Sequence, residues 1–245
     1  MSPILLLSIL LQITCAVHVV RSGRPMYWIF ILLIGSYIAI AIYFFAEILP
    51  ELRHSRGARR VVRDVQDRID PERQKRQAAR QLDLADTQIN RRRLAEESLR
   101  AGDYRHAAEL YESSLKGLYK TDPELMLGLA KAQFGMSEPA ATRRTLDALI
   151  AANPDFRSSE GHLLYARAVE AEGDIEAALH EYEALALGYP GEEGRVRYGL
   201  LLKKHGDAAK ANEVFREVLT RADVSPKYYR REQREWIDVA KRELG

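Results

Sequence analysis

The chain has 245 residues, enough for one or two domains, and its 37 Lys and Arg nearly balance its 35 Asp and Glu. The charge is unevenly distributed: residues 1–50 carry a net +1, residues 51–93 a net +6, and the remainder a net −5. The single cysteine, Cys15, excludes an internal disulfide framework and a cysteine-based zinc cluster.

Two apolar stretches open the chain and predict a two-helix transmembrane hairpin over residues 1–50. The first span covers about residues 4–20, and the second covers about residues 28–49. A spanning helix needs at least about 17 apolar residues. A cleaved secretory signal is disfavoured because no positive segment precedes the first stretch. The residues expected at the membrane interface are Arg21, Arg24, Tyr27, Trp28, Arg53, Arg56, Arg59 and Arg60.

The turn between the spans carries a distinctive sequence. Residues 21–30 read Arg-Ser-Gly-Arg-Pro-Met-Tyr-Trp-Ile-Phe, and Tyr43-Phe44-Phe45 follows in the second span. In these residues the segment 4–50 resembles the N-terminal membrane domain of bacterial cardiolipin synthases of the phospholipase D family. The His-x-Lys-x4-Asp motif of those enzymes is absent, since no histidine is followed two residues later by lysine. The resemblance therefore implies a bacterial inner-membrane anchor without the enzymatic reaction.

The positive charges near the spans predict their orientation. Two arginines lie in the turn, whereas five follow the second span up to Arg63. Because cytoplasmic segments carry the excess of Lys and Arg, both termini and the long C-terminal part are expected in the cytoplasm. A periplasmic C-terminal part is the alternative, because the first span is short and partly polar.

Residues 51–90 are highly charged and poor in Gly and Pro, which predicts a basic helical connector. Asp70 is the expected N-cap of its second helix, with Pro71 at the first helical position. Two interpretations stay open: a solvated connector against the first repeat, or a helix whose first half contacts anionic lipid. Nucleic-acid binding is disfavoured because acidic residues interrupt the arginines and no aromatic side chain is interleaved.

Residues 91–222 contain a recurring pattern of small, apolar and turn residues. Glycines at 102, 135, 173 and 206 are spaced by 33, 38 and 33 residues, and three of them are followed by aspartate. Each Gly-Asp pair predicts a turn in which the glycine has a positive φ and the aspartate is the N-cap acceptor of the next helix. A large aromatic residue recurs after the turn, at Tyr111, Tyr182 and Phe215. The pattern resembles the tetratricopeptide repeat (TPR), whose unit of about 34 residues is a helix–turn–helix. The resemblance implies an all-α solenoid of about four stacked helical hairpins.

Two parts of this array depart from the regular pattern. In the second repeat Ser137-Glu138-Pro139 replaces the Gly-Asp turn, and Pro139 is expected near the start of a helix. Residues 223–245 follow the last repeat, and Ser225-Pro226 predicts the N-cap and first position of one final helix. Such a helix would cap the array with a polar outer face.

Helix A of each repeat is expected to line a concave face, where TPR-like arrays bind peptides. The candidate groove residues are Arg92, Lys131, Phe134, Arg167, Arg197 and Lys203. Basic residues recur there although the repeat region is net acidic, which predicts a protein or peptide ligand of acidic character. The alternative is that these side chains form only a solvated charged face.

No catalytic or cofactor motif accompanies the array. The sequence has no His-Glu-x-x-His and no glycine-rich phosphate loop, so no metal, no cofactor and no enzymatic activity are predicted. The leading hypothesis is a membrane-anchored scaffold for protein–protein interaction at the bacterial inner membrane. The alternative is a non-catalytic accessory subunit of membrane or envelope lipid metabolism, which rests on the resemblance of the hairpin.

Overall fold

The computed structural model describes residues 3–21, 27–34, 42, 70 and 72–245 of the chain. It divides into two compact units, Met1–Pro71 and Glu72–Gly245. Every regular element among the described residues is helical, and no strand occurs among them. The prediction of an all-α fold is therefore confirmed.

The first unit contains two described helices that contact each other, α1 (Pro3–Arg21) and α2 (Tyr27–Ile34). The side chains buried at this contact are Cys15, Val19, Trp28 and Leu32. Within the described residues, no helix is both long and apolar enough to cross a membrane. Most of the predicted second span, residues 28–49, lies outside the described residues. The membrane hairpin therefore stays a prediction.

The second unit is a series of helices. They are α3 (Arg73–Leu84), α4 (Gln88–Arg100), α5 (Tyr104–Ser114), a short 3-10 helix (Gly117–Tyr119), α6 (Pro123–Gly135), α7 (Pro139–Ala152), α8 (Ser159–Glu172), α9 (Ile175–Gly188), α10 (Glu193–Lys204), α11 (Ala208–Val224), α12 (Lys227–Glu232) and α13 (Arg234–Leu244). From α3 to α11 each helix contacts the next, and α4 and α8 also contact α6. The pairs α4/α5, α6/α7, α8/α9 and α10/α11 are the four repeats, each with a helix A followed by a helix B.

The turns inside three of the four repeats have the predicted Gly-Asp geometry. Gly102, Gly173 and Gly206 have φ values of +79°, +88° and +96°, which residues with a Cβ rarely adopt. The aspartate after each glycine accepts a hydrogen bond from the backbone N–H three residues later, at 3.4, 3.2 and 3.0 Å. This contact satisfies one of the unpaired N–H groups at the start of helix B. Both parts of the prediction are confirmed.

The second repeat turns differently. Gly135, a predicted turn glycine, is the last residue of α6, and a Cβ on it would lie 2.4 Å from the ring of Tyr104. The positive φ in this turn, +63°, belongs to Ser137. The prediction for Gly135 was therefore wrong, because the aromatic neighbour and not the turn requires a small residue there. Pro139 begins α7 as predicted.

Large aromatic side chains fill the spaces left by small residues on neighbouring helices. A Cβ on Gly128 would lie 2.3 Å from the Tyr111 ring, and one on Gly199 would lie 2.6 Å from the Phe215 ring. Both aromatic residues are almost completely buried, as is Tyr182 in the third repeat. Burial of such rings removes a large apolar area from water, which one isolated helix pair could not do.

The helix before the first repeat packs against it. Ala78 of α3 is buried in the same core as residues of α4 and α5, and the Lys75 ammonium lies 2.5 Å from the carboxylate of Asp103. Asp70 was the predicted N-cap of this helix, but Glu72 occupies that position. The helix therefore starts two residues later than predicted. Residues 51–69 of the predicted connector lie outside the described residues.

Two helices, not the one predicted, follow the last repeat. The chain breaks between α12 and α13 at Gln233, whose side-chain oxygen accepts the backbone N–H of Glu192 at 2.9 Å. Pro226 and not Ser225 occupies the N-cap position, because the Ser225 hydroxyl donates to a carbonyl of α11 at 2.7 Å. The break directs α13 back onto α10 and α11, where it buries Ile237.

An ionic cluster joins this C-terminal region to the last repeat; of its members, Glu192 and Arg195 are buried, whereas Arg221 and Tyr229 are partly exposed. We call it the buried ionic cluster after its two buried charges. The carboxylate of Glu192 is fully buried and accepts hydrogen bonds from the Tyr229 hydroxyl at 2.6 Å and the Arg221 guanidinium at 3.3 Å. Its second oxygen lies 3.6 Å from Arg195, which is also buried. The cluster therefore ties α10, α11 and α12 together through one carboxylate.

Candidate functional site

The predicted groove residues lie on helix A of all four repeats. Arg92 is on α4, Lys131 and Phe134 are on α6, Arg167 is on α8, and Arg197 and Lys203 are on α10. Two clefts of about 400 and 390 Å³ open along these helices, the first at α4 and α6 and the second from α6 to the start of α10. Lys131 and Glu160 line both clefts, which makes them one continuous depression. We call it the A-helix groove.

The cations at the centre of the groove are paired with glutamates of the following helix A. The Lys131 ammonium lies 2.7 Å from the Glu160 carboxylate. Arg167 lies 4.0 Å from Glu193, and the same carboxylate accepts a 2.8 Å hydrogen bond from Arg197. Both glutamates lie in the first turn of their helices, where the helix dipole favours a negative charge.

Two other predicted cations are also paired: Arg92, which lines the groove, and Lys203, which lines neither cleft. Arg92 donates to Glu96 at 2.8 Å and lies 3.9 Å from Glu124, and the hydrogen bond to Glu96 raises the pKa of Arg92. Lys203 donates to the Glu243 carboxylate of α13 at 3.0 Å. The groove is therefore a surface of alternating charge, whereas the sequence pattern of its cations alone predicted a basic one.

Aromatic rings lie against two of the predicted arginines. The Arg167 guanidinium lies 4.6 Å from the centre of the Phe134 ring, and that of Arg197 lies 5.1 Å from the centre of the Trp236 ring. Both are cation–π contacts. Phe134 lines the groove, whereas Trp236 lines neither cleft and packs, partly exposed, on the last core cluster. The two arginines therefore sit between a carboxylate and a ring, which limits their side-chain freedom.

Two tyrosines of helix B, Tyr111 and Tyr182, lie near a carboxylate on helix A of the same repeat. Burial, reinforced by Glu96, raises the pKa of Tyr111 to about 12. Tyr182 donates a 2.6 Å hydrogen bond to Glu170, and burial together with this bond raises its pKa. Both phenols thus stay protonated at neutral pH, as donors and not as bases.

A third cleft, of about 480 Å³, lies at α7, α8 and α9 and was not predicted from the sequence. Its wall includes Leu146, Phe156 and Tyr165, and its polar members include His162 and Glu181, whose side chains are 2.8 Å apart. Nothing in the local sequence of His162 indicates this pair. Within the part of the chain that the structure describes, no three His, Cys, Asp or Glu side chains could hold a metal ion.

The predicted membrane-interface residues are only partly described. Arg21 ends α1, Tyr27 and Trp28 begin α2, and the rings of Tyr27 and Trp28 are 5.6 Å apart. Trp28 is buried against α1, while Tyr27 is exposed. Of these two aromatic residues, only Tyr27 therefore has the exposure expected of an interface residue. The remaining predicted residues, Arg24, Arg53, Arg56, Arg59 and Arg60, lie outside the described residues.

Comparison with known proteins agrees with this architecture. Residues 98–168 match the family model described as Tetratricopeptide repeat. No curated protein sequence matches the chain. The matched segment runs from the first into the third repeat and covers less than a third of the chain.

Solved structures show the same likeness over about two thirds to three quarters of the chain. A form of MamA (41-end) from Desulfovibrio magneticus RS-1 is 17% identical, with a TM-score of 0.55 over 68% of this chain and 97% of that chain. YrrB, described as a TPR protein with an unusual peptide-binding site, is 16% identical, with a TM-score of 0.51 over 73% and 88%. TTC0263, a thermophilic TPR protein from Thermus thermophilus, is 18% identical, with a TM-score of 0.50 over 69% and 86%. At these identities the likeness shows the fold, a TPR-like helical solenoid.

Proposed function

We propose that the repeat unit captures a protein or peptide segment in the A-helix groove, and that the N-terminal apolar segments hold it at the bacterial inner membrane. One observation supports the first part most directly. The two clefts share Lys131 and Glu160 and together follow α4, α6, α8 and the start of α10, which is long enough for an extended or helical segment to contact successive repeats.

The charges of the groove suggest which ligand fits it. A purely acidic ligand would displace Glu160 and Glu193 from their cations and leave both carboxylates without partners. A segment with both signs of charge can bind Lys131 and Glu160 at once and exchange one ion pair for two. Leu99, Phe134 and Leu163 line the same depression and can contact apolar side chains between the charges. The proposed ligand is therefore a mixed-charge amphipathic segment, a refinement of the acidic ligand expected from the sequence.

The test is capture of partners by the full-length protein in mild detergent. Reversing Lys131→Glu together with Arg167→Glu should abolish capture, since both residues would then repel the glutamates beside them and the acidic groups of the ligand. Arg216→Glu, one charge reversal at an exposed site on α11, serves as the control and should keep all partners. Capture of the same partners by the double variant would contradict a role for the groove.

The tether requires a separate experiment. Reporter fusions after Gly245 should give inactive alkaline phosphatase and a bright fluorescent protein, because five arginines follow the second predicted span and two lie in the turn. An active phosphatase fusion would place the repeats in the periplasm. Enzymes of lipid synthesis among the captured proteins would indicate the accessory-subunit function.

A further inference from the structure

The exposed large apolar side chains of the repeat unit are concentrated at one kind of position. Those within Glu72–Gly245 are Leu84, Ile89, Tyr104, Leu118, Tyr119, Ile150, Leu187, Val224 and Tyr228. All except Tyr104 lie in, or within three residues of, a connection between a helix B, or α3, and the helix that follows it. Each of the five connections, from α3–α4 to α11–α12, carries at least one of them.

These connections lie on the same edge of the solenoid. Because successive helices alternate in direction, the turns inside the repeats face one edge and the connections between repeats face the other. We call the second one the junction edge. The turn edge carries Gly-Asp pairs and Tyr104, whereas the junction edge exposes one or two large apolar side chains at each connection. Exposed apolar residues scattered at random need no explanation, but a regular series does.

One connection exposes the most. Between α5 and α6 the sequence reads Lys116-Gly-Leu-Tyr-Lys120, and Leu118 is completely exposed while Tyr119 is 45% exposed. Backbone hydrogen bonds from Tyr119 to the Lys116 carbonyl and from Asp122 to the Tyr119 carbonyl, both 3.1 Å, hold the loop in one conformation. Neither lysine forms an ion pair with a described residue. The loop therefore presents an ordered apolar tip between two available cations.

We propose that the loop Lys116–Lys120 inserts its tip into the headgroup region of an anionic lipid bilayer. Leucine can enter the acyl boundary, tyrosine suits the interface because its ring is apolar and its hydroxyl polar, and the lysines can reach the lipid phosphates. No neighbouring side chain covers Leu118, so its whole apolar surface is free to enter the acyl boundary, and the two lysines complement the negative charge of lipid phosphates. The α3–α4 junction beside it carries Asp83 and Asp86, so the cationic contact is centred on this loop.

A fluorescent probe at the tip tests the proposal. Cys15 is the only cysteine, so Leu118→Cys in a Cys15→Ser background gives one labelling site in the full-length chain. The labelled protein is reconstituted with vesicles of phosphatidylcholine alone or mixed with phosphatidylglycerol. An environment-sensitive label at position 118 should shift to the blue with phosphatidylglycerol and be quenched by lipids that carry a quencher near the headgroup. A label at Glu138→Cys, on the turn edge, should do neither.

The lysines give a graded second measurement. Each cation near an anionic surface strengthens binding about fivefold, so Lys116→Ser with Lys120→Ser should weaken binding about 25-fold. The labelled double variant should therefore need a higher phosphatidylglycerol content to show the shift. The exchange Lys204→Ser with Lys210→Ser, near the turn edge, should leave it unchanged. An unshifted label at position 118 with anionic vesicles would overturn the proposal. A shift that appears without lipid as protein concentration rises would also overturn it, because a second copy of the chain would then cover the tip.

Discussion

Glu192 and Glu193 are neighbours in sequence, but they serve two regions of the repeat unit that use the same chemistry in different ways. Glu193 faces the A-helix groove, where it pairs with Arg167 and Arg197 and keeps 21% of its side chain exposed. Glu192 points away from the groove into the buried ionic cluster and has no exposed side-chain surface. One residue along the chain thus separates a surface pair from an interior one.

The difference shows what each region can do. Exposed ion pairs contribute roughly 0–1 kcal/mol, so the groove glutamates can exchange partners with a ligand at little cost to the fold. A buried carboxylate has lost its hydration and depends on its hydrogen bonds, so it is stabilising only while every partner stays in place. The groove is therefore suited to binding, and the cluster is suited to fixing the C-terminal helices on the last repeat.

The largest expected effect on stability comes from a substitution in the buried ionic cluster. Glu192→Ala should destabilise the protein by about 3–5 kcal/mol, because it removes the buried acceptor of Tyr229 and Arg221 and leaves the buried Arg195 with one neighbouring carboxylate, that of Glu217 at 3.6 Å. Urea denaturation followed by circular dichroism measures the change. Glu193→Ala is the matched control and should cost less than about 1 kcal/mol. Equal losses for the two variants would contradict the distinction between the regions.

Alkaline pH extends the comparison to the tyrosines of both regions. Burial raises the pKa of Tyr111 to about 12 and, with the hydrogen bond to Glu192, raises that of Tyr229. Because the folded state holds these protons more tightly than the unfolded chain, their stabilisation is complete below about pH 10 and is lost as the pH rises through the folded values. For Tyr111 alone the loss approaches about 2–3 kcal/mol by pH 12.

The measurement is the denaturation midpoint between neutral pH and pH 12. Tyr111→Phe should flatten part of the decline above about pH 10, since it removes the titrating hydroxyl. Tyr119, exposed in the loop before α6, is the control: Tyr119→Phe should leave the pH profile as it is. If the stability of the parent protein stayed constant above pH 10, the raised pKa values of Tyr111 and Tyr229 would be contradicted.

The sequence predicted the groove better than the cluster for a physical reason. Turn glycines, capping aspartates and aromatic residues act within a helix pair or between adjacent helices, and they recur with the repeat, so their roles can be recognised from spacing. Ser137 departs from that rule, because it has a positive φ although it carries a Cβ. Glu192 contacts Arg221 and Tyr229, which lie about one repeat away in sequence. Each of these two contacts occurs once and not in every repeat. A contact that does not repeat leaves no periodic pattern.

The pairing of the groove cations was missed for a related reason. Lys131 and Glu160 are 29 positions apart, and both look like ordinary solvated residues in a linear sequence. Their contact depends on the stacking of α6 and α8, which brings the middle of one helix beside the first turn of the next. The cations could be predicted from the repeat alignment, but the acids that neutralise them required the three-dimensional arrangement.

A smaller change tests the cluster without removing a charge. Tyr229→Phe deletes the hydroxyl that donates to Glu192 at 2.6 Å, while Arg221 still pairs with the carboxylate. A hydrogen bond to a charged group contributes more than a neutral one, so the expected loss is about 1–2 kcal/mol by urea denaturation. Tyr228→Phe, at an exposed neighbouring position, should change stability by less than about 0.5 kcal/mol. Indistinguishable variants would mean that Arg221 alone supports Glu192.

The smallest expected effect on stability is also the most informative for binding. Exchanging the charges of the central pair, Lys131→Glu with Glu160→Lys, keeps an ion pair between α6 and α8 and should shift stability by less than about 0.5 kcal/mol. The single variant Lys131→Glu should lose slightly more, since it places two carboxylates side by side. If a ligand reads the order of charges along the groove, the exchanged protein keeps its melting behaviour yet loses capture, because each ligand charge now meets its own sign. Capture that survives the exchange would show that the ion pair only joins two repeats, and the binding surface would then have to be sought at the cleft around His162 and Glu181.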